Sequence, residues 1–169
     1  TFDGPHATPK ESRSGNVFLG IKNMTGTALD LSDSRLIGGE DWAKWTKRVT
    51  PRHGDIVFTY EAALGMFAII PPRLKCCLGR RMALVRPKES EGNSYFWLHQ
   101  FISDPFQRLI DERAIHGATV NRTPLTEFPD YPVIVPTREI VFYFENIAKC
   151  LWECLFVARE ECQTLGLLR

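Results

Sequence analysis

No apolar run in this 169-residue chain is long enough to cross a bilayer; the longest are short and broken by charge, so no membrane span is expected. The first residues, Thr-Phe-Asp-Gly-Pro-His, carry no secretory signal pattern. An initiator methionine is also missing, and we expect the chain to be a trimmed piece of something longer. The cysteines are odd in number, five, and lack Cys-x-x-Cys spacing: Cys76, Cys77, Cys150, Cys154 and Cys162 argue against a disulfide framework or a zinc site. Cys150, Cys154 and Cys162 fall at helical spacing among Leu151, Trp152 and Leu155, and are expected to be small buried apolar residues in a reducing cytoplasm. Neither sign of charge dominates, with 21 Lys plus Arg against 20 Asp plus Glu. Many DNA-binding domains are strongly basic, yet a local basic face suffices for phosphate contact. No Gly-x-Ser-x-Gly elbow, Gly-x-Gly-x-x-Gly turn or P-loop occurs, so no pocket for a nucleotide or S-adenosylmethionine can be argued. Internal repeats and low-complexity segments are not visible either.

What is present is enough apolar content, 44%, to bury a core in one domain. Residues 1–16 are rich in polar residues, Pro and Gly and read as a long loop. Strands are expected over 17–21, 29–37, 56–59, 66–70, 75–78, 82–86 and 133–135, with 56–70 forming a hairpin. A short helix is expected over 40–47, with Trp42 and Trp45 on one face. A longer one covers 94–110, restarting at Pro105 with Asp104 as its cap. From Thr137 onward Ile140, Phe144, Ile147, Leu151, Cys154 and Ala158 repeat every three or four residues, beside Val141, Ala148, Leu155 and Cys162. This is one amphipathic helix, roughly seven turns long. Such a stripe needs cover, either from its own domain or from a second helix.

Several loops hold groups suited to a polyanion. Lys22-Asn23 ends a strand, where Asn matches an adenine edge and Lys a guanine or phosphate. Arg80 and Arg81 follow Gly79 in a turn, and their guanidinium forks fit phosphate and guanine alike. In the loop 116–123, Gly117 and Ala118 allow close backbone approach, with Thr119, Asn121 and Arg122 beside them. The first loop adds His6, Thr8, Lys10 and Arg13. Each also fits an ordinary solvated turn or frayed end. Asp3, His6, His53 and Asp55 suit a metal or acid–base site in type, but not in spacing.

Taken in order, the blocks DGPHATP (3–9), VFLGIKNM (17–24), GDIVFTYEAALGMFAII (54–70), CLGRRMALVRP (77–87), FISDPFQRLI (101–110), HGATVNRT (116–123) and YPVIVP (131–136) resemble a target recognition domain. The family is the specificity subunit of Type I restriction-modification systems. The resemblance implies a globular α/β (α+β) recognition domain over 1–136, with a twisted, largely antiparallel or mixed sheet. One long conserved-region helix over 137–169 follows. It implies no catalysis and no metal or cofactor of the chain's own. S-adenosylmethionine, ATP and Mg would belong to partner subunits. The partners implied are double-stranded DNA, methyltransferase subunits, the restriction subunit through the complex, and a second recognition domain or second copy through the helix. Each domain of the family reads half of a split DNA target.

Carried over, Lys22, Asn23, Tyr60, Glu61, Arg80, Arg81, Thr119, Asn121 and Arg122 would face DNA, with His6, Thr8, Lys10 and Arg13 on the first loop. Ile140, Phe144, Ile147, Leu151 and Leu155 would face the partner helix. Relatives often carry a basic residue and paired glycines where this chain reads Tyr60-Glu61-Ala62-Ala63-Leu64-Gly65. That departure argues against phosphate contact by this loop, and Glu61 suits a cytosine N4 instead. Two other readings stand beside this one. One is a small hydrolase using His6, His53 or His116 with Asp3 or Asp55; the other is an assembly protein whose helix is its function.

Overall fold

The strand Ile56–Thr59 is buried along its whole length, and this sets the architecture. A strand covered on both faces needs a layer above and a layer below. Ile56 and Phe58 point into one core with Phe67, Leu98, Phe101, Phe106 and Phe128. Val57, between them, points into another with Leu19, Ile70, Leu78, Met82 and Leu84. The two-residue period of a strand divides the side chains this way.

The computed structural model describes residues 1–88, 93–117 and 119–167. In chain order its strands and helices are β1 (Phe2–Asp3), β2 (Asn16–Leu19), β3 (Met24–Thr25), β4 (Ala28–Leu29), β5 (Arg35–Ile37), α1 (Gly39–Trp45), β6 (Ile56–Thr59), β7 (Phe67–Ile69), β8 (Cys76–Leu78), β9 (Met82–Val85), α2 (Ser94–Phe101), α3 (Asp104–Glu112), β10 (Ile115–His116), β11 (Asn121–Arg122) and α4 (Arg138–Leu167). The central sheet runs β1-β9-β6-β7 and is antiparallel throughout. A second sheet runs β5-β2-β8, with β2 and β8 parallel. β3 with β4 and β10 with β11 form small antiparallel ribbons. The chain is thus a mixed α/β fold with mostly antiparallel sheets and a long C-terminal helix, as the sequence leads one to expect. No helix among the described residues is long and apolar enough to cross a membrane.

Aromatic packing fills the helical side of the central sheet. The Phe58 and Phe67 rings stack at 5.1 Å, and Phe128 stacks on Phe58 at 4.8 Å. Such pairs add about 0.5–1.5 kcal/mol each beyond the area they bury. On the other side Trp45 meets Phe18 edge-on at 5.3 Å, tying α1 to the second sheet.

Several boundaries differ from the sequence reading, each for a local reason. The first loop is not loop throughout, because Phe2 and Asp3 pair with Leu84 and Ala83. The expected strand over 29–37 is broken in two, because Asp30 accepts from both the backbone N–H and the hydroxyl of Ser32 and bends the chain. Asp104 is the first residue of α3 rather than its cap. The cap position is Ser103, whose hydroxyl turns back to Gln100 O. The 116–123 loop is a hairpin tip, since β10 and β11 pair across it; Ala118 lies outside the described residues. Val133–Val135 joins no sheet: Pro132 and Pro136 flank it and offer no backbone N–H.

α4 docks through Val141, Glu145 and Ala148, all buried, followed by the half-buried Trp152 and Phe156. Their spacing of three and four residues makes one face, and it lies against α2. α2 has no side-chain cap of its own. Glu145 supplies one, accepting from Tyr95 N at 3.3 Å and Phe96 N at 2.7 Å. Burial pushes the Glu145 carboxyl above its usual range, and these bonds and Lys149 oppose the shift. Cys150, Cys154 and Cys162 are exposed, contrary to expectation, because the docking face passes through other positions. Cys76 and Cys77 are buried in strand β8, which pushes both thiols up to about 12.

Candidate nucleic-acid interface

Both sheets end on the same turns. β8 ends at Leu78 and β9 begins at Met82, so Gly79-Arg80-Arg81 carries the chain from one sheet to the other. The turn is pinned by Gly79 N–H to Leu19 O at 2.8 Å. Gly4 lies against it, with its N–H on Met82 O at 2.9 Å. A Cβ on Gly4 would meet Gly79 O at 2.3 Å, so only glycine permits this approach. The first loop is thereby held beside the arginine turn.

Tyr60 ends the strand path of β6 at the same place. It is a core residue, not a loop residue reaching for DNA, because it is 6% exposed and belongs to the buried cluster that holds Phe58, Phe67 and Phe128. Only its hydroxyl reaches the edge, 3.5 Å from His6 Nε2. Burial pushes the phenol up to about 12, helped by Asp3 and Glu61 and opposed by Arg48 and Arg80. That balance places four charged side chains around one hydroxyl. Asp3 binds Arg48 and lies 3.5 Å from His6.

The tip of the next hairpin closes the group. Ala62 N–H donates to Asn121 O at 3.0 Å, and Thr123 N–H to Tyr60 O at 2.7 Å. Glu61 and Arg122 face each other between these bonds as an isolated antiparallel bridge. Arg81 Nε lies 3.2 Å from Glu61 Oε1. Arg80 and Arg122 are exposed and make no ion pair among the described residues.

The fold therefore brings together His6, Tyr60, Glu61, Arg80, Arg81, Asn121 and Arg122 from four separate stretches of chain. Thr119 is exposed on the same hairpin. Thr8, Lys10 and Arg13 are exposed on the first loop, whose far end pairs at Ser12 with Leu36. Lys22 is exposed but bound to Asp33 at 3.0 Å. Asn23 is 2% exposed and its amide is spent on Gly20 N, Asp30 O and Ser34 Oγ. It shapes the turn and offers no edge to a base. Arg48 was not singled out in the sequence; nothing in Lys47-Arg48-Val49 signals that it crosses to Asp3.

Asp3, His6, His53 and Asp55, which suit an acid–base site in type but not in spacing, are split between the two ends of β6. Asp55 is 1% exposed and holds Arg86 by two bonds of 2.7 Å, plus Arg52 N–H at 2.8 Å. His53 Nδ1 sits 3.0 Å from Ile70 O, where it acts as donor to the carbonyl. Among the described residues no three His, Cys, Asp or Glu side chains are grouped so as to hold a metal ion.

α4 presents a second surface. Ile140, Phe144, Ile147, Leu151 and Leu155 are all exposed, on a stripe beside the docking face. Phe144 touches His99 edge-on at 5.3 Å, so the stripe begins where the docked face ends. Comparison with protein-family models and with curated proteins finds no match for this chain.

Proposed function

We propose that this chain is a DNA-sequence recognition module without chemistry of its own, acting as one half of a Type I restriction-modification specificity subunit. The observation that carries the reading is the gathering of Arg80, on the turn between the two sheets, with Asn121 and Arg122, on the short strand β11, all three exposed. Arginines presented by a hydrogen-bonded turn and strand suit phosphate and base edges, because the scaffold sets the register before contact. The overall charge of +1 fits a module whose partners supply part of the backbone grip. The α4 stripe is the surface for a second helix, from another recognition domain or another copy. Methyltransferase subunits would join there, and the restriction subunit through the complex.

The test is a selection from random duplex DNA by the chain together with its methyltransferase subunit, followed by a salt titration of the winning duplex. Enrichment of a short fixed motif, with affinity falling steeply as salt rises, is the expected result. The log–log slope changes by about 0.9 per phosphate contact, so Arg80→Met and Arg122→Met should each flatten it by about that amount. A folded protein that retains no duplex at any salt overturns the reading.

A further inference from the structure

Glu61 is a carboxylate set among arginines at a face proposed to meet a polyanion. Its position is built rather than incidental. In an antiparallel bridge flanked by hydrogen bonds on both sides, the facing pair is the closely spaced kind with side chains on one face. Glu61 and Arg122 are that pair. On its other side Glu61 meets Arg81 Nε at 3.2 Å. That nitrogen is buried and lacks a well-aligned hydrogen bond, so the attraction is one of charge, and it draws the guanidinium inward.

The backbone around this pair is unusual too. Arg81 has φ 70° and Ala62, next to Glu61, has φ 72°. Side chains with a Cβ rarely adopt this left-handed region, and such residues collect at functional sites. The left-handed conformation falls at Arg81 itself, which separates its side chain from that of Arg80. Arg80 stays exposed without an ion pair among the described residues, while Arg81 is half-buried against Glu61. The two neighbouring arginines thus have different work.

We propose that Glu61, positioned by Arg81, selects a cytosine in the DNA target, while Arg80 and Arg122 hold the flanking phosphates; this rests on the DNA-recognition reading above. An ionised carboxylate only accepts hydrogen bonds. In the major groove cytosine presents the N4 amino donor, guanine presents two acceptors, and adenine sets an N7 acceptor beside its N6 donor. Among these, cytosine alone offers Glu61 a donor without an acceptor beside it. Arg81 is a positioning residue, which fixes the carboxylate.

The experiment compares base preferences of the wild-type chain, Glu61→Met, Glu61→Gln, Arg81→Met and Arg80→Met in the selection from random duplex DNA, with thermal unfolding to confirm folding. The wild type should prefer cytosine at one position by roughly ten- to a hundredfold. Glu61→Met should erase that preference and leave the other positions alone. Glu61→Gln should move it toward adenine, whose edge matches an amide. Arg81→Met should blur the same position with the salt slope unchanged, whereas Arg80→Met should flatten the slope by about 0.9 and keep the motif. If the glutamate variants do not fold, Glu61→Asp withdraws the carboxylate by one methylene and should weaken the same preference. An unchanged motif in a folded Glu61 variant, or an Arg81→Met variant that only flattens the slope, overturns this inference and leaves DNA recognition standing. A wild type that holds no DNA takes both down.

Discussion

Glu145 of α4 accepts the backbone N–H of Phe96 at 2.7 Å, so the long helix caps the helix it packs on. A helix N-terminus leaves backbone donors without partners, and α2 offers no side chain of its own for them. One side chain therefore joins tertiary docking to local helix stability. Glu145→Ala should destabilise the fold by about 1–3 kcal/mol, since it leaves buried donors unpaired. The pH dependence has a definite sign. Burial raises the folded pKa, so this carboxyl favours the fold fully below the ordinary glutamate value and less as pH rises through the raised one. Urea midpoints of Glu145→Gln should fall less than those of the wild type as pH rises from about 4 toward 7.

His99 acts in the opposite direction. Its Nε2 accepts the Trp152 indole N–H at 3.1 Å, and burial lowers its pKa. A lowered pKa for a base means stability present above the ordinary histidine value and lost as pH falls through the folded one. Protonation would also turn the acceptor into a donor facing another donor. His99→Leu should cost stability at neutral pH yet lose less than the wild type on acidification. Denaturant midpoints measured at neutral and acid pH check this, and parallel pH profiles for the two proteins would refute it.

The Asp55–Arg86 pair closes the other end of β6. Asp55 is fully buried and both its oxygens are bonded. Removing one partner of such a pair leaves a buried charge alone, which costs about 3–5 kcal/mol. Arg86→Met should therefore destabilise strongly, whereas Asp55→Asn with Arg86→Met should recover part of the loss. Chemical denaturation of the single and double variants measures the coupling. A double variant no better than Arg86→Met would mean that Arg86 acts through contacts other than Asp55, such as its bond to Thr50 O.

The core strands and α4 were legible because their signals are local. Ile56–Thr59 is a short apolar run bounded by Gly54 and a turn, and the α4 pattern repeats over many residues without Pro or Gly. The site was legible only as separate fragments. Nothing near Arg81 says that its partner is Glu61, and Asn23 looks identical whether its amide faces solvent or Asp30. Burial decides that, and burial depends on contacts between distant parts of the chain. The α4 stripe shows the same limit: a repeat of apolar residues marks two adjoining faces, and only docking tells which is used. Val141 and Ala148 went inward and Ile147 and Leu151 outward, which also left the cysteines in solvent.

That division yields a further prediction. Ile147 and Leu151 are 65% and 66% exposed, and with Ile140 and Phe144 they repeat at alternating spacings of four and three. Spacings of four, three and four keep these side chains on one face of a 3.6-residue helix, the kind of face that a second helix can cover. Single exposed apolar residues need no explanation, but a continuous stripe on one long helix does. If the stripe is the joining surface, Ile147→Glu and Leu151→Glu should abolish self-association at micromolar concentration and hardly change the unfolding midpoint, because neither side chain supports the docked face. Sedimentation of the wild type and both variants, together with thermal melts, separates the outcomes. A wild type that stays monomeric but binds a methyltransferase subunit, with binding lost in Leu151→Glu, would assign the stripe to that partner. A drop in the unfolding midpoint as large as that of Glu145→Ala would instead mean that the stripe is part of this chain's own core.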